Sequence, residues 1–124
     1  MGTFSVAIQV GSLAGDRFQP VEALVDTGSS DTAIPANVLR DLGVTSTGRR
    51  RFRLADESLV TYPIGQARVR LLGQNLVVLV VFTPEGTMPL LGATTLETFG
   101  LAADPAGRQL MEVPGLMKRT SGGT

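Results

Sequence analysis

Asp26-Thr27-Gly28-Ser29-Ser30 is a stretch whose residue types suit acid–base chemistry. It follows the apolar run Ala23-Leu24-Val25, so the backbone leaves the core at the carboxylate itself. A carboxylate there is costly unless its surroundings are built to hold it. The residues after it are small and rich in hydrogen-bonding groups. Gly28 permits backbone geometry closed to other residues and lets a neighbouring group come close. The hydroxyls of Thr27, Ser29 and Ser30 and the loop amides can fix the carboxyl's orientation. A positioned carboxyl of this kind is what general acid–base catalysis requires. Read alone, Asp-Thr-Gly is also an ordinary turn, since Asp and Gly are common turn residues. The flanks decide between the two: an apolar strand before it, Thr32-Ala33-Ile34-Pro35 after it, and further along Pro89-Leu90-Leu91-Gly92.

Composition removes most other chemistry. The 124 residues include no Cys and no His. That excludes disulfides, thiolate or imidazole metal sites, Ser-His-Asp triads and Cys-His nucleophiles. What is left is hydroxyls, carboxylates, Lys118, Tyr62, arginines and backbone. Ser29 and Ser30 have no companion general base, so they are read as loop-stabilising hydroxyls. Eleven basic and eleven acidic residues cancel, which gives no drive toward nucleic acid or an anionic membrane. The local basic cluster, Arg49-Arg50-Arg51 with Arg53, has only Phe52 as an aromatic neighbour and reads as a solvated strand face. The apolar run Leu76–Phe82 is far too short to span a bilayer. A soluble, cytoplasmic protein is expected.

The elements that must position this loop are short strands. Phe4, Val6, Ile8 and Val10 alternate with Ser5, Ala7 and Gln9, the period of a half-buried strand running Thr3–Val10. Arg17 to about Val25 is a second strand, with Pro20 marking an edge or a bulge. Pro35 opens a short helix that Gly43 ends. Phe52 and Leu54, then Leu59 and Val60, flank Ala55-Asp56-Glu57-Ser58 as a hairpin. Ala67, Val69 and Leu71 alternate in a further strand. Leu76–Phe82 has the unbroken apolar character of a strand covered on both faces. Thr94 and Glu97 have capping-box spacing for a second helix ended by Gly100. A last strand is expected near Arg108–Val113. The chain reads as one mostly-β domain over residues 1–113 with two short helices, and residues 114–124 as a flexible tail.

Taken together, these residues resemble the retropepsin-like aspartic proteases, in particular their bacterial single-domain relatives. The resemblance runs from about Thr3 to Val113. Asp26-Thr27-Gly28-Ser29 matches the family's catalytic loop. Leu90-Leu91-Gly92 matches its second signature, beside that loop and followed by a helix. Ala55, Asp56, Glu57 and Ser58 fall where the family has its flap, a hairpin that folds over substrate. Leu96-Glu97, Gly100-Leu101 and Asp104-Pro105 look like the bacterial members. The resemblance implies a closed acid-protease β-barrel with a flap hairpin, and hydrolysis of peptide bonds without metal or cofactor.

That mechanism uses two carboxylates around one water, one as general base and one as proton donor. Only one Asp-Thr-Gly is present. The other aspartates (Asp16, Asp31, Asp41, Asp56 and Asp104) lack the apolar-strand-then-Gly setting. The resemblance therefore implies a homodimer in which Asp26 meets its own copy across a two-fold axis. Thr27 would hydrogen-bond across that axis. Viral members carry an Arg after the second-signature Gly that pairs with an Asp just past the catalytic loop. Here that position is Ala93, so Asp31, in the acidic position, must have another partner or none. The acidic flap tip, Asp56 and Glu57, favours basic or extended polar substrates. The competing reading is a peptide-binding or dimerisation module that keeps the fold without catalysis.

Overall fold

The computed structural model describes residues 4–117. Thr3 and Lys118 lie outside that range, as do the first and last residues of the expected domain and tail. Residues 114–117 have no regular structure.

Among the described residues, nine strands and two helices follow in order: β1 (Phe4–Gly11), β2 (Phe18–Val25), β3 (Thr32–Pro35), α1 (Ala36–Asp41), β4 (Ser46–Arg53), β5 (Leu59–Leu71), β6 (Gln74–Thr83), β7 (Leu90–Leu91), α2 (Ala93–Phe99), β8 (Leu101–Asp104) and β9 (Gln109–Glu112). Seven strands form one sheet in the order β1-β2-β7-β3-β6-β5-β4. Gln9–Gly11 of β1 also pair with Arg68–Arg70 of β5. That second pairing closes six of the strands on themselves and leaves β4 outside the ring. Closure removes edges that would otherwise expose unpaired backbone.

The alternation in the sequence sets the inside of this ring. Phe4, Ile8 and Val10 of β1 are buried while Ser5, Ala7 and Gln9 are exposed. Val21, Ala23 and Val25 of β2 and Ala67, Val69 and Leu71 of β5 join them. Ile34, Leu39, Val80 and Leu91 complete a core in which each is fully out of solvent. Pro20 faces Gln9 in β1, and β2 meets its other neighbour, β7, only through Leu24 and Val25. Proline's missing N–H therefore leaves no ladder bond unmade on the free side.

Both expected helices are present. Helix α1 ends in a Schellman motif: Val44 N–H donates to the Leu39 carbonyl and Gly43 N–H to that of Arg40. Gly43 sits at φ 79°, which only glycine adopts without cost. The expected capping box on α2 is not there. Gly92 is the N-cap, no side chain caps the helix, and Thr94 lies inside the first turn. The helix's first amides are taken by the Asp26 loop instead, as described below.

Three other expectations change. Leu59–Leu71 is one long strand rather than a hairpin arm followed by a separate strand. Leu76–Phe82 is covered on both faces only at its end. Val80, Val81 and Phe82 are buried there, where β3 pairs alongside, but Val77 is 38% exposed. The last strand is shorter, Gln109–Glu112, and it pairs with β8 in a separate two-stranded sheet. No helix among the described residues is long and apolar enough to cross a membrane.

Candidate active site

The loop from β2 to β3 and the segment from β7 into α2 build the site. Strand β2 delivers Asp26 at its end, and the loop 26–31 leads into β3. The two-residue β7 sits between β2 and β3, parallel to the first through Leu24 and Val25 and antiparallel to the second at Ala33. The Asp26 loop is thus carried around β7 and its following residue, Gly92. Asp26 N–H donates to the Leu91 carbonyl at 3.1 Å, and Leu24 N–H to that of Pro89 at 2.9 Å. Ala93 N–H donates to the Ser29 carbonyl at 2.8 Å and Thr94 N–H to that of Ser30 at 2.9 Å. Helix starts leave free amides that need acceptors. Here loop carbonyls are the acceptors, so the helix start and the Asp26 loop hold each other.

The Asp26 carboxylate is half-buried and gripped locally. Gly28 N–H donates to its Oδ1 at 3.0 Å and the Ser29 hydroxyl to its Oδ2 at 3.3 Å. Each oxygen thereby has one donor from its own loop, and each keeps lone pairs for another partner. Gly28 matters sterically: a Cβ there would lie 3.2 Å from Asp26 Oδ1. Thr27 is exposed beside it. Under the loop, a Cβ at Gly92 would fall 2.5 Å from the Asp31 carbonyl carbon and oxygen. No side chain fits in that gap, and this is the physical reason for the glycine after Leu90-Leu91.

Two buried hydroxyls finish the support, and neither was picked out from the sequence. Thr32 Oγ1 accepts the Gly92 amide at 3.0 Å and lies 2.6 Å from Thr95 Oγ1. The available signal was a threonine inside the apolar strand β3 and another on the buried side of α2. Asp31 also finds a partner. Arg50 on β4 reaches its Oδ2 at 3.4 Å, so Asp31 is served from a strand and not from Ala93 at the start of α2.

The residues Ala55-Asp56-Glu57-Ser58 form the exposed tip of the β4–β5 hairpin. Leu54 N–H donates to the Ser58 carbonyl and Glu57 N–H to that of Leu54, both at 2.9 Å. The Asp56 carboxylate accepts the Ser58 amide at 2.9 Å and its hydroxyl at 2.5 Å. The Ser58 hydroxyl and then its amide hold the Asp56 carboxyl below the usual carboxylate range. Tyr62 packs half-buried against Phe52, ring centroids 6.2 Å apart, in keeping with a packing role under the hairpin.

Two concavities meet at Gly28. One is a groove of about 880 Å³ against Asp26 itself, walled by Thr27, Ala93, Leu96, Leu101 and Val113. The other is a cleft of about 420 Å³ running from Ser29 and Asp31 to the hairpin arm at Arg50–Leu54 and Tyr62. The tip residues 55–58 do not line it.

A closed sheet with a two-residue strand threaded under an Asp-Thr-Gly-Ser loop, a glycine-start helix and an overhanging hairpin is the retropepsin-like aspartic protease fold. Solved structures share the fold. A protein of unknown function from Legionella pneumophila superposes with TM-score 0.54 at 14% identity, covering 89% of this chain and 95% of that one. The simian foamy virus protease gives 0.52 at 13%, covering 76% and 94%. The retroviral protease-like domain of Ddi1 from Leishmania major gives 0.53 at 15%, covering 88% of each. These identities speak to the fold alone. No curated protein matched. The family "gag-polyprotein putative aspartyl protease" matches residues 16–98, from the turn before β2 into α2, and the chain belongs to that family.

Proposed function

We propose that this protein is an aspartic endopeptidase, active as a homodimer, with Asp26 of each chain supplying one carboxyl of the catalytic pair. The observation that carries the proposal is the setting of Asp26. It is half-buried at a strand end, each oxygen has one local donor, and a groove opens directly against it. The groove holds one other carboxyl, Glu97 on α2, which lies outside the Asp-Thr-Gly loop, so the mechanism needs a second acid held as Asp26 is. A two-fold copy supplies one, and two like charges brought close favour a state in which one proton is shared.

The chemistry follows from that pair. The ionised carboxyl takes a proton from water as its oxygen attacks the scissile carbonyl carbon. The protonated carboxyl gives its proton to the carbonyl oxygen. Collapse of the tetrahedral adduct breaks the C–N bond, and the departing amine leaves with a proton returned by the pair. Gly28 and Ser29 keep Asp26 oriented, Thr27 ties the two loops together, and Leu90, Leu91 and Gly92 form the floor. Ala55–Ser58 act as the flap tip, closing over an extended peptide that lies as an added strand. No metal or cofactor enters. Residues 1–113 are taken as the catalytic domain and 114–124 as a tail.

The test is Asp26→Asn, which keeps the size and shape of the side chain. Wild type is expected to cut a mixed peptide library between acidic and neutral pH, and the variant to cut nothing while melting like wild type. Equal activity in the two would eliminate the carboxyl pair. Sedimentation of active protein as a strict monomer would remove the homodimer. Peptide binding without cleavage by either form would favour the non-catalytic module.

A further inference from the structure

We infer that the cleft under the hairpin selects peptides carrying acidic side chains, read chiefly by Arg50 with Arg51 and Arg53 beside it. The inference rests on the peptidase reading for its substrate and on the cleft's own charge for its sign. Three arginines line the cleft against one carboxylate, that of Asp31. Arg50 and Phe52 share one face of β4, opposite Tyr62 and Val60, and Arg51 and Arg53 alternate with them along the strand. Arg50 spans the cleft to Asp31 by a single 3.4 Å contact, with its side chain 49% exposed. A contact that long leaves most of the guanidinium's donors free for a bidentate carboxylate. Arg53 pairs only with Glu57 at the exposed tip, and Arg51 has no ion-pair partner among the described residues.

The tip acids, which suggested a preference for basic substrates, do not change this sign. Asp56 is held by Ser58, and neither Asp56 nor Glu57 lines the cleft. A peptide strand laid between the hairpin arm and the Asp26 loop therefore passes guanidinium groups first. Arginine's planar fork suits carboxylates better than a lysine would. β4 is also the strand left outside the closed ring, with one edge unpaired, and arginines there discourage pairing with apolar strands.

The experiment uses a random peptide library with cleavage sites read by mass spectrometry. Asp and Glu are expected near cut bonds at roughly tenfold the frequency of Lys and Arg, the effect of one charge-assisted contact. Raising salt from about 0.05 to about 0.5 M should shrink that ratio, because exposed charges are screened. Arg50→Glu should bring the ratio near one or invert it, and Arg51→Gln with Arg53→Gln, which alternate with Arg50 along β4, should lower it less. Arg49→Glu, on the same strand but outside the cleft, should leave the ratio unchanged. Melting curves check that each variant folds, and an unfolded one is replaced by single Arg→Gln changes. No acidic enrichment in wild type, or enrichment that survives all three changes, overturns the inference. If wild type cuts nothing, the peptidase reading fails separately. Retention of the same library on immobilised Asp26→Asn protein then decides the cleft's preference, and equal retention of acidic and basic peptides overturns it.

Discussion

The hydroxyls of Thr32 and Thr95 meet 2.6 Å apart with both residues out of solvent, and the Thr32 oxygen also accepts the Gly92 amide. This small polar knot lies beneath the Asp26 loop and joins β3, α2 and the Gly92 turn. Buried polar groups are tolerated only when paired, so each member depends on the others.

Thr32→Val keeps the shape of the side chain but strands the Gly92 amide and the Thr95 hydroxyl. The expected cost is about 1–3 kcal/mol of stability. Urea unfolding checks it. The double change Thr32→Val with Thr95→Val should cost less than the sum of the two singles, because it removes both hydroxyls of the pair together.

Gly92→Ala forces a methyl into backbone 2.5 Å away, and backbone cannot swing aside as a side chain can. Overpacking of this kind costs about 1–3 kcal/mol. The loop that gives way is the one holding Asp26, so peptidase activity should fall more steeply than stability. A displacement of about 1 Å at a reacting group can lose roughly a hundredfold in rate. Comparing kcat with the unfolding midpoint separates the two effects, and activity at or near the wild-type level would contradict the link.

Mixing wild-type and Asp26→Asn chains after dissociation and reassociation tests the shared site directly. If each active unit needs two intact Asp26 carboxyls, an equal mixture should keep about a quarter of the activity, the square of the wild-type fraction. Retention of half would mean that each chain works alone.

The hairpin tip has its own pH dependence. Asp56 is lowered by Ser58, so the ionised form is favoured in the folded tip. The stabilisation is complete above the unfolded value of about 3.9 and is lost as pH falls through the lower folded value. The tip should therefore stay closed on itself through mildly acidic assays and loosen only in stronger acid. Following the Ser58 amide by NMR from neutral pH downward would show this. In Ser58→Ala, which removes the largest of the lowering contacts, the Asp56 transition should move back up.

Much of this molecule is legible in its residues because the causes are local. Alternation along β1 and β2 specifies which faces are buried. Gly43 and Gly100 stop the helices because positive φ suits glycine. The Asp26 loop follows from a carboxylate, a glycine and hydroxyls meeting at a strand end. The hairpin around residues 55–58 follows from paired apolar flanks. Local signals also mislead. Thr94 and Glu97 have capping-box spacing, yet the helix starts earlier, with Gly92 as N-cap, so Thr94 lies in the first turn and its own amide bonds the Ser30 carbonyl.

The sequence by itself determined the acid, its grip and the glycines that let backbone approach, since these depend on neighbours along the chain. Only the tertiary structure decided that Arg50 serves Asp31, that Thr32 meets Thr95, and that β7 runs between β2 and β3. Those contacts join residues far apart in sequence, and strand register with ring closure brings them together. Periodicity tells which face a residue takes, and the pairing of strands tells what it will find there.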